Sequence, residues 1–95
     1  LRFNMAAAAP LYAELADVVL GPSETGVQAR SADFVAFMQD LMDRSGAPLR
    51  LRDVDVPEAD LPMLARDAML QSRLLVNNPI DVTQADALEL YRAAY

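Results

Sequence analysis

The stretch "TQADALELYRAAY", residues 83–95, combines a helix start with an amphipathic pattern. Thr83 and Asp86 have the spacing of a capping box, in which each side chain accepts a hydrogen bond from the other residue's backbone amide. The helical period then places four apolar residues on one face, Leu88, Tyr91, Ala94 and Tyr95. This stretch predicts a helix with one buried face, and the rest of the chain shows the same period.

The first half of the chain predicts two more helices. The first begins at Pro10, because proline suits the first helical position, and ends at Gly21 and Pro22. Its predicted buried residues are Leu11, Leu15, Val18 and Val19. The second begins with Ser31 as N-cap and ends at Gly46. Its predicted apolar face consists of Phe34, Phe37, Met38, Leu41 and Met42.

The second half predicts one helix before the last. "PEADLP", residues 57–62, predicts a short turn that leads into it, since each proline favours a helix start. The apolar stripe of this helix is Leu61, Leu64, Ala65, Ala68 and Met69. Residues 49–56 alternate like a strand, but a single strand has no partner, so we expect an extended connection. The predicted fold class is all-α, with four main helices.

Composition excludes several classes of function. The 95 residues contain no Cys and no His, which excludes disulfides, thiol nucleophiles and zinc fingers, and removes the commonest metal ligand. The net charge is −6 and the eight basic residues are scattered Arg, so we expect no nucleic-acid partner. No apolar run approaches the roughly 20 residues of a membrane span, and we expect a soluble, cytoplasmic protein with no membrane contact. The three Gly are isolated, so no phosphate-binding loop is predicted.

Several motifs occur together in the order and spacing of a known family. They are "LRFN" at 1–4, "LYAELADVVLG" at 11–21, "DVDVPEADLPMLARDAM" at 53–69, "NNP" at 77–79 and "TQADALELYRAAY" at 83–95. In this order they resemble the C-terminal helical domain of the iron-containing alcohol dehydrogenase family, which is related in fold to dehydroquinate synthase. The resemblance covers essentially all 95 residues.

The resemblance implies a metal-dependent oxidoreductase. In that family an N-terminal α/β domain binds NAD or NADP, and a helical domain binds a divalent metal, iron or zinc, through an Asp and three His. Hydride passes between the nicotinamide and an alcohol or aldehyde. Residues 1–95 would then be the C-terminal part of a two-domain enzyme, a fragment that itself binds neither cofactor nor metal. Its expected partners are the missing α/β domain and the metal-bearing helices, and its exposed apolar faces would support homo-oligomers.

The same resemblance implies a contribution to the substrate cleft. In the family, the residues just before Asn-Pro approach the nicotinamide and the substrate, which implies Leu74, Val76 and Asn77 as cleft residues here. The alternative is that Leu74 and Leu75 only pack against the preceding helix. No catalytic, cofactor-binding or metal-binding residue is predicted within the chain.

The sequence departs from the family at two positions. Pro79 is followed by Ile80 and Asp81 where the family usually has Arg, so no role of that Arg transfers. Asp55 stands where Gly is common.

A second hypothesis belongs to a different class. The hydrophobic content is 54%, above the roughly 45–50% of typical domains, so some apolar surface lacks a partner within the chain. A free-standing acidic helical module could use such a surface to dock a partner helix. The coding sequence upstream of Leu1 distinguishes this module from the C-terminal part of a dehydrogenase.

Overall fold

The computed structural model describes all 95 residues and contains helices and turns without a strand. Five α-helices follow one another: α1 (Met5–Leu20), α2 (Val27–Ser45), α3 (Leu61–Ala68), α4 (Ser72–Leu75) and α5 (Gln84–Ala93). Short 3₁₀ turns occupy Arg2–Asn4, Leu51–Val54 and Glu58–Asp60. The chain divides into two compact units, Leu1–Gly46 and Ala47–Tyr95. The all-α prediction is confirmed, with α4 as an additional single turn.

In the first unit, α1 and α2 pack against each other as a helical hairpin. Tyr12 and Phe34 lie at the centre of its core, with ring centroids 5.5 Å apart and ring planes inclined by 46°. The other buried core residues are Ala8, Ala16 and Val35. This offset, tilted arrangement is one that aromatic pairs favour.

The predicted start and the predicted buried face of α1 are both wrong. The helix begins at Met5, with Pro10 in its interior, because residues 6–9 are alanines of the highest helix propensity and two of them are buried. The buried face is Ala8, Tyr12 and Ala16. Leu11, Leu15, Val18 and Val19, predicted to be buried, are 60%, 46%, 80% and 44% exposed. The small side chains of Ala8 and Ala16 let α1 approach α2 closely. Because α1 is apolar on more than one side, the spacing of its apolar residues alone did not identify the face that packs against α2.

The predicted start of α2 is also wrong, whereas its end is confirmed. Gly26 is the N-cap, and Ser31 lies within the helix at 0% exposure. Phe34 of the predicted face is buried, Phe37 and Met38 are half-buried, and Leu41 and Met42 are exposed. The helix ends at Gly46, whose φ of 71° is left-handed, a conformation that glycine adopts without steric cost.

In the second unit, α3 packs against α5. Leu61 and Ala65 of the predicted stripe are buried, and Leu64, Ala68 and Met69 are half-buried, which confirms that face. The short turn before α3 is confirmed as well. On α5 the most buried residue is Ala87, which the prediction omitted. Of the predicted residues, Leu88, Tyr91 and Tyr95 are half-buried and Ala94 is exposed.

The connection before α3 forms a turn where we predicted an extended segment. The 3₁₀ turn Leu51–Val54 is tied to the end of α5, because the Leu51 amide donates to the Ala94 carbonyl at 2.9 Å. Asp55 follows the turn with a left-handed φ of 61°. Glycine adopts this conformation freely and Asp is among the few other residues that tolerate it. The replacement of the family's usual Gly by Asp55 therefore has a conformational explanation.

One helical segment, Arg2–Leu20, is long and apolar enough to cross a membrane by length and composition alone, with a mean hydropathy of 1.2 over an 18-residue window. The sequence prediction overlooked it because Glu14 and Asp17 interrupt the apolar run. In the structure one face of this segment packs against α2.

Candidate functional site

An apolar groove of about 370 Å³ lies among α3, α4, α5 and the link that precedes α5. This volume is at the lower end of the range found for small-molecule sites. The lining residues are Ala68, Met69, Leu74, Leu75, Asn78, Val82, Ala87, Leu90, Tyr91 and Ala94. Only Asn78 and Tyr91 bring polar groups, and no carboxylate or guanidinium lines the groove. The groove is therefore suited to a hydrocarbon group.

Side-chain hydrogen bonds fix the link on one side of the groove. The Asn77 amide group donates to the Arg73 carbonyl at 3.0 Å, and that of Asn78 donates to the Ile80 carbonyl at 2.7 Å. Asparagine commonly stabilises turns in this way. The backbone amides of Leu74 and Leu75 both donate to the Gln71 carbonyl, which forms the single turn of α4. These bonds hold the turn that carries Leu74 at the groove.

The capping box fixes the other side of the groove and confirms the sequence prediction. The Thr83 hydroxyl donates to the Asp86 carboxylate at 2.6 Å and the Thr83 amide donates to it at 2.9 Å. The Asp86 amide donates to the Thr83 hydroxyl oxygen at 3.2 Å. The bond from the Thr83 hydroxyl, followed by that from its amide, lowers the pKa of Asp86. The cap sets the start of α5 and so the position of Ala87, Leu90 and Tyr91.

The structure places the three predicted cleft residues differently. Leu74 lines the groove and is 62% exposed. Val76 is 79% exposed and Asn77 is exposed, and neither lines the groove. Leu75 is half-buried and lines the groove as well. The assignment of these residues to a substrate cleft remains a prediction.

Sequence reasoning missed most of the groove lining. The spacing of apolar residues could have identified the α5 side of the groove, because intervals of three, one and three residues place them on one face of a helix: Ala87, Leu90, Tyr91 and Ala94. The contribution of Met69 was not, because it depends on how the end of α3 meets α4.

A second polar cluster surrounds Arg30 in the first unit. The Arg30 side chain is 8% exposed, and its Nε donates to the Asp17 carboxylate at 2.7 Å. Its Nη2 donates to the Ala16 carbonyl at 3.1 Å and to the Gly21 carbonyl, and Nη1 lies 3.5 Å from Asp33. All these partners belong to the hairpin itself. The cluster therefore anchors α2 to the C-terminal end of α1.

The residues present do not fit the metal and cofactor of the family that the sequence resembles. The chain has no His and no Cys, and no group of three or more potential ligands converges anywhere in it. Gly21, Gly26 and Gly46 are separated along the chain and form no phosphate-binding loop.

Comparisons with known proteins support the resemblance. The family model described as "Fe-containing alcohol dehydrogenase family, C-terminal" matches residues 1–95. Sulfoacetaldehyde reductase of Bilophila wadsworthia (strain 3_1_6) is 32% identical over 96 residues, which cover 98% of this chain and 25% of that protein. Long-chain-alcohol dehydrogenase 1 of Geobacillus thermodenitrificans (strain NG80-2) is 38% identical over 50 residues, 53% of this chain and 13% of that protein.

No solved structure gives a significant match. The chain spans at most a quarter of the length of these two relatives. The family match, in contrast, extends over the whole chain, and the helical architecture agrees with it. The chain belongs to the Fe-containing alcohol dehydrogenase family, whose C-terminal model it matches.

Proposed function

We propose that residues 1–95 are the C-terminal part of a cytoplasmic, metal-dependent, NAD(P)-linked alcohol dehydrogenase or reductase. The observation that carries the proposal is the family match over all 95 residues. Both relatives described above are named as enzymes that act on an alcohol or an aldehyde. The reaction would be hydride transfer between a nicotinamide and such a substrate.

Within that enzyme, we assign this chain an architectural role. Because its residues converge on no metal site and form no phosphate-binding loop, the metal and the nicotinamide would be bound by other parts of the polypeptide. The helical hairpin and the α3–α5 pair would support those parts and close one side of the cleft.

We also propose that Leu74 forms part of the wall of this cleft. Its side chain is largely exposed, lines the apolar groove and is carried by a hydrogen-bonded turn. Such an arrangement suits a residue that meets a ligand, since loops held by rigid helices commonly carry binding residues. The apolar lining favours substrates with a hydrocarbon chain over charged ones at this position.

The test of the function begins with the coding sequence upstream of Leu1. We expect a continuing frame with a dinucleotide-binding pattern, an Asp and three His. The complete protein, loaded with Fe²⁺ or Zn²⁺, should reduce NAD⁺ or NADP⁺ in the presence of primary alcohols, and a chelator should abolish this activity until metal is added back. An initiator codon close to Leu1 and no turnover would instead support the free-standing module.

The role of Leu74 is tested by kinetics of the complete protein. Leu74→Ala and Leu74→Phe should change the relative kcat/KM across alcohols of increasing length, since one methylene in a pocket is worth about 1–3 kcal/mol of discrimination. Leu70→Ala and Leu70→Phe are matched controls, because Leu70 is the same residue type and is 75% exposed but lies outside the groove. Unchanged specificity with a lowered melting temperature would show that Leu74 is a packing residue.

A further inference from the structure

Helix α1 carries an apolar stripe that its packing against α2 leaves uncovered. Leu11, Leu15 and Val18 are 60%, 46% and 80% exposed, and their spacing of four and three residues aligns them along one side of the helix. We call these three residues the α1 stripe. It lies beside the buried face, which is formed by Ala8, Tyr12 and Ala16.

An α-helix that is apolar on two sides is normally buried on both. On α1 only Glu14 and Asp17 are charged, and Asp17 is bound to Arg30. The hairpin contains only a small core, namely Ala8, Tyr12, Ala16, Phe34 and Val35. Small units bury too little apolar surface to be stable without support. Both facts favour a further contact at the α1 stripe.

We infer that the α1 stripe is the surface on which an apolar segment from the remainder of the same polypeptide packs. This inference rests on the proposed function, under which the complete protein is much longer than 95 residues. About three quarters of the length of the sulfoacetaldehyde reductase lies outside the region that matches this chain. The occupant has an apolar surface, because the stripe contains no charged or hydrogen-bonding side chain.

Two other occupants fit the stripe less well. A second copy of the chain would need roughly 800 Å² of contact surface on each partner, more than three aliphatic side chains supply. A lipid bilayer would have to surround the helix, yet the adjacent face of α1 packs against α2 through Tyr12 and Ala16. The labelling experiment described next distinguishes a second copy and a bilayer from the proposed occupant.

The test measures thiol labelling in the complete protein. Leu15→Cys and Val18→Cys place a thiol in the stripe, and Glu24→Cys places one in the exposed connection after α1 as a control. All three positions fall in the tryptic peptide of residues 3–30, so mass spectrometry reads them separately from any other thiol. Each variant is first checked by circular dichroism, and Val18→Cys, with the smaller change of volume, serves if Leu15→Cys does not fold.

At the stripe positions, we expect a charged maleimide to label native protein at least roughly tenfold more slowly than protein in urea, because a packed side chain is protected until the structure opens locally. The control cysteine should be labelled in native protein about as fast as in urea. Native labelling of both stripe positions as fast as Glu24→Cys would overturn the inference. It would also be overturned by protection that appears only at rising protein concentration, or only with phosphatidylcholine vesicles. Alcohol oxidation is measured separately, so an active protein with unprotected stripe positions would refute this inference and leave the proposed function standing.

Discussion

Replacement of Arg30 by Met should destabilise the helical hairpin severely. The guanidinium connects α2 to the C-terminal end of α1 through Asp17 and through the carbonyls of Ala16 and Gly21. The last turn of α1 contains no basic residue of its own, so Arg30 supplies the cation that the negative end of the helix dipole favours. Met keeps the unbranched apolar stem and removes only the charged donors.

The magnitude follows from the burial of these partners. Hydrogen bonds to charged groups contribute about 1.5–3 kcal/mol each, and Arg30 donates one to Asp17 and two to backbone carbonyls. Asp17 and Asp33 are 47% and 50% exposed, so water can replace the Arg at both carboxylates. Removal of the charge also abolishes the cost of burying it. We therefore expect a net loss of about 2–3 kcal/mol, or roughly 10–20 °C in Tm for a domain of this size.

Urea unfolding followed by circular dichroism measures this loss. Arg30→Lys should recover part of it, because an ammonium keeps the charge but cannot reach several partners with the planar fork of a guanidinium. Arg44→Met is the matched control on the same helix, since Arg44 pairs with Asp40 at 2.8 Å while both side chains stay largely exposed. Its cost should be below about 0.5 kcal/mol. Equal stability losses in Arg30→Met and Arg44→Met would refute the anchoring role of Arg30.

Three further outcomes are expected. Thr83→Ala should lower the free energy of unfolding by about 1 kcal/mol, the usual cost of a lost N-cap, and an unchanged urea midpoint would contradict the cap. Asp86→Asn should also be less stable than the parent at pH 7. Because the folded-state pKa of Asp86 is lowered, the parent keeps this advantage above about pH 4 and loses it as the pH falls further, so the urea midpoints of the two proteins should converge in acid. Ala65→Leu should cost about 1–3 kcal/mol through overpacking, whereas Ala85→Leu on the exposed side of α5 should be neutral by the same assay, and equal effects would argue against the α3–α5 contact.

Features set by neighbouring residues could be predicted from the sequence. The Thr83–Asp86 capping box, the stop at Gly46 and the short turn before α3 all depend on contacts within a few residues, and all three are confirmed. The start of α2 could not be predicted in this way. Ser31 is a good N-cap locally, but the preceding turn remains helical and carries Arg30 to its partners on α1.

The packed face of α1 depends on a choice between two apolar sides. Hydrophobicity favoured the side with Leu11 and Leu15, whereas close approach to α2 selected the side with Ala8 and Ala16. The larger side chains then remain available for a second contact. The close contact of Ala8 and Ala16 with α2 therefore also explains why the α1 stripe is exposed.

The candidate site was predictable only in part for a related reason. The exposure of Leu74 could not be read from "LLVNNP", because an aliphatic residue next to a turn is buried or exposed according to what surrounds it. Neither the groove nor the α1 stripe contains a charged side chain, and both consist of side chains that act by contact. Under the proposed function, substitutions in this chain should therefore alter stability or substrate preference, while the metal content of the complete enzyme should stay close to that of the parent. Loss of metal in the Leu74 variants with the melting temperature unchanged would contradict that division of roles.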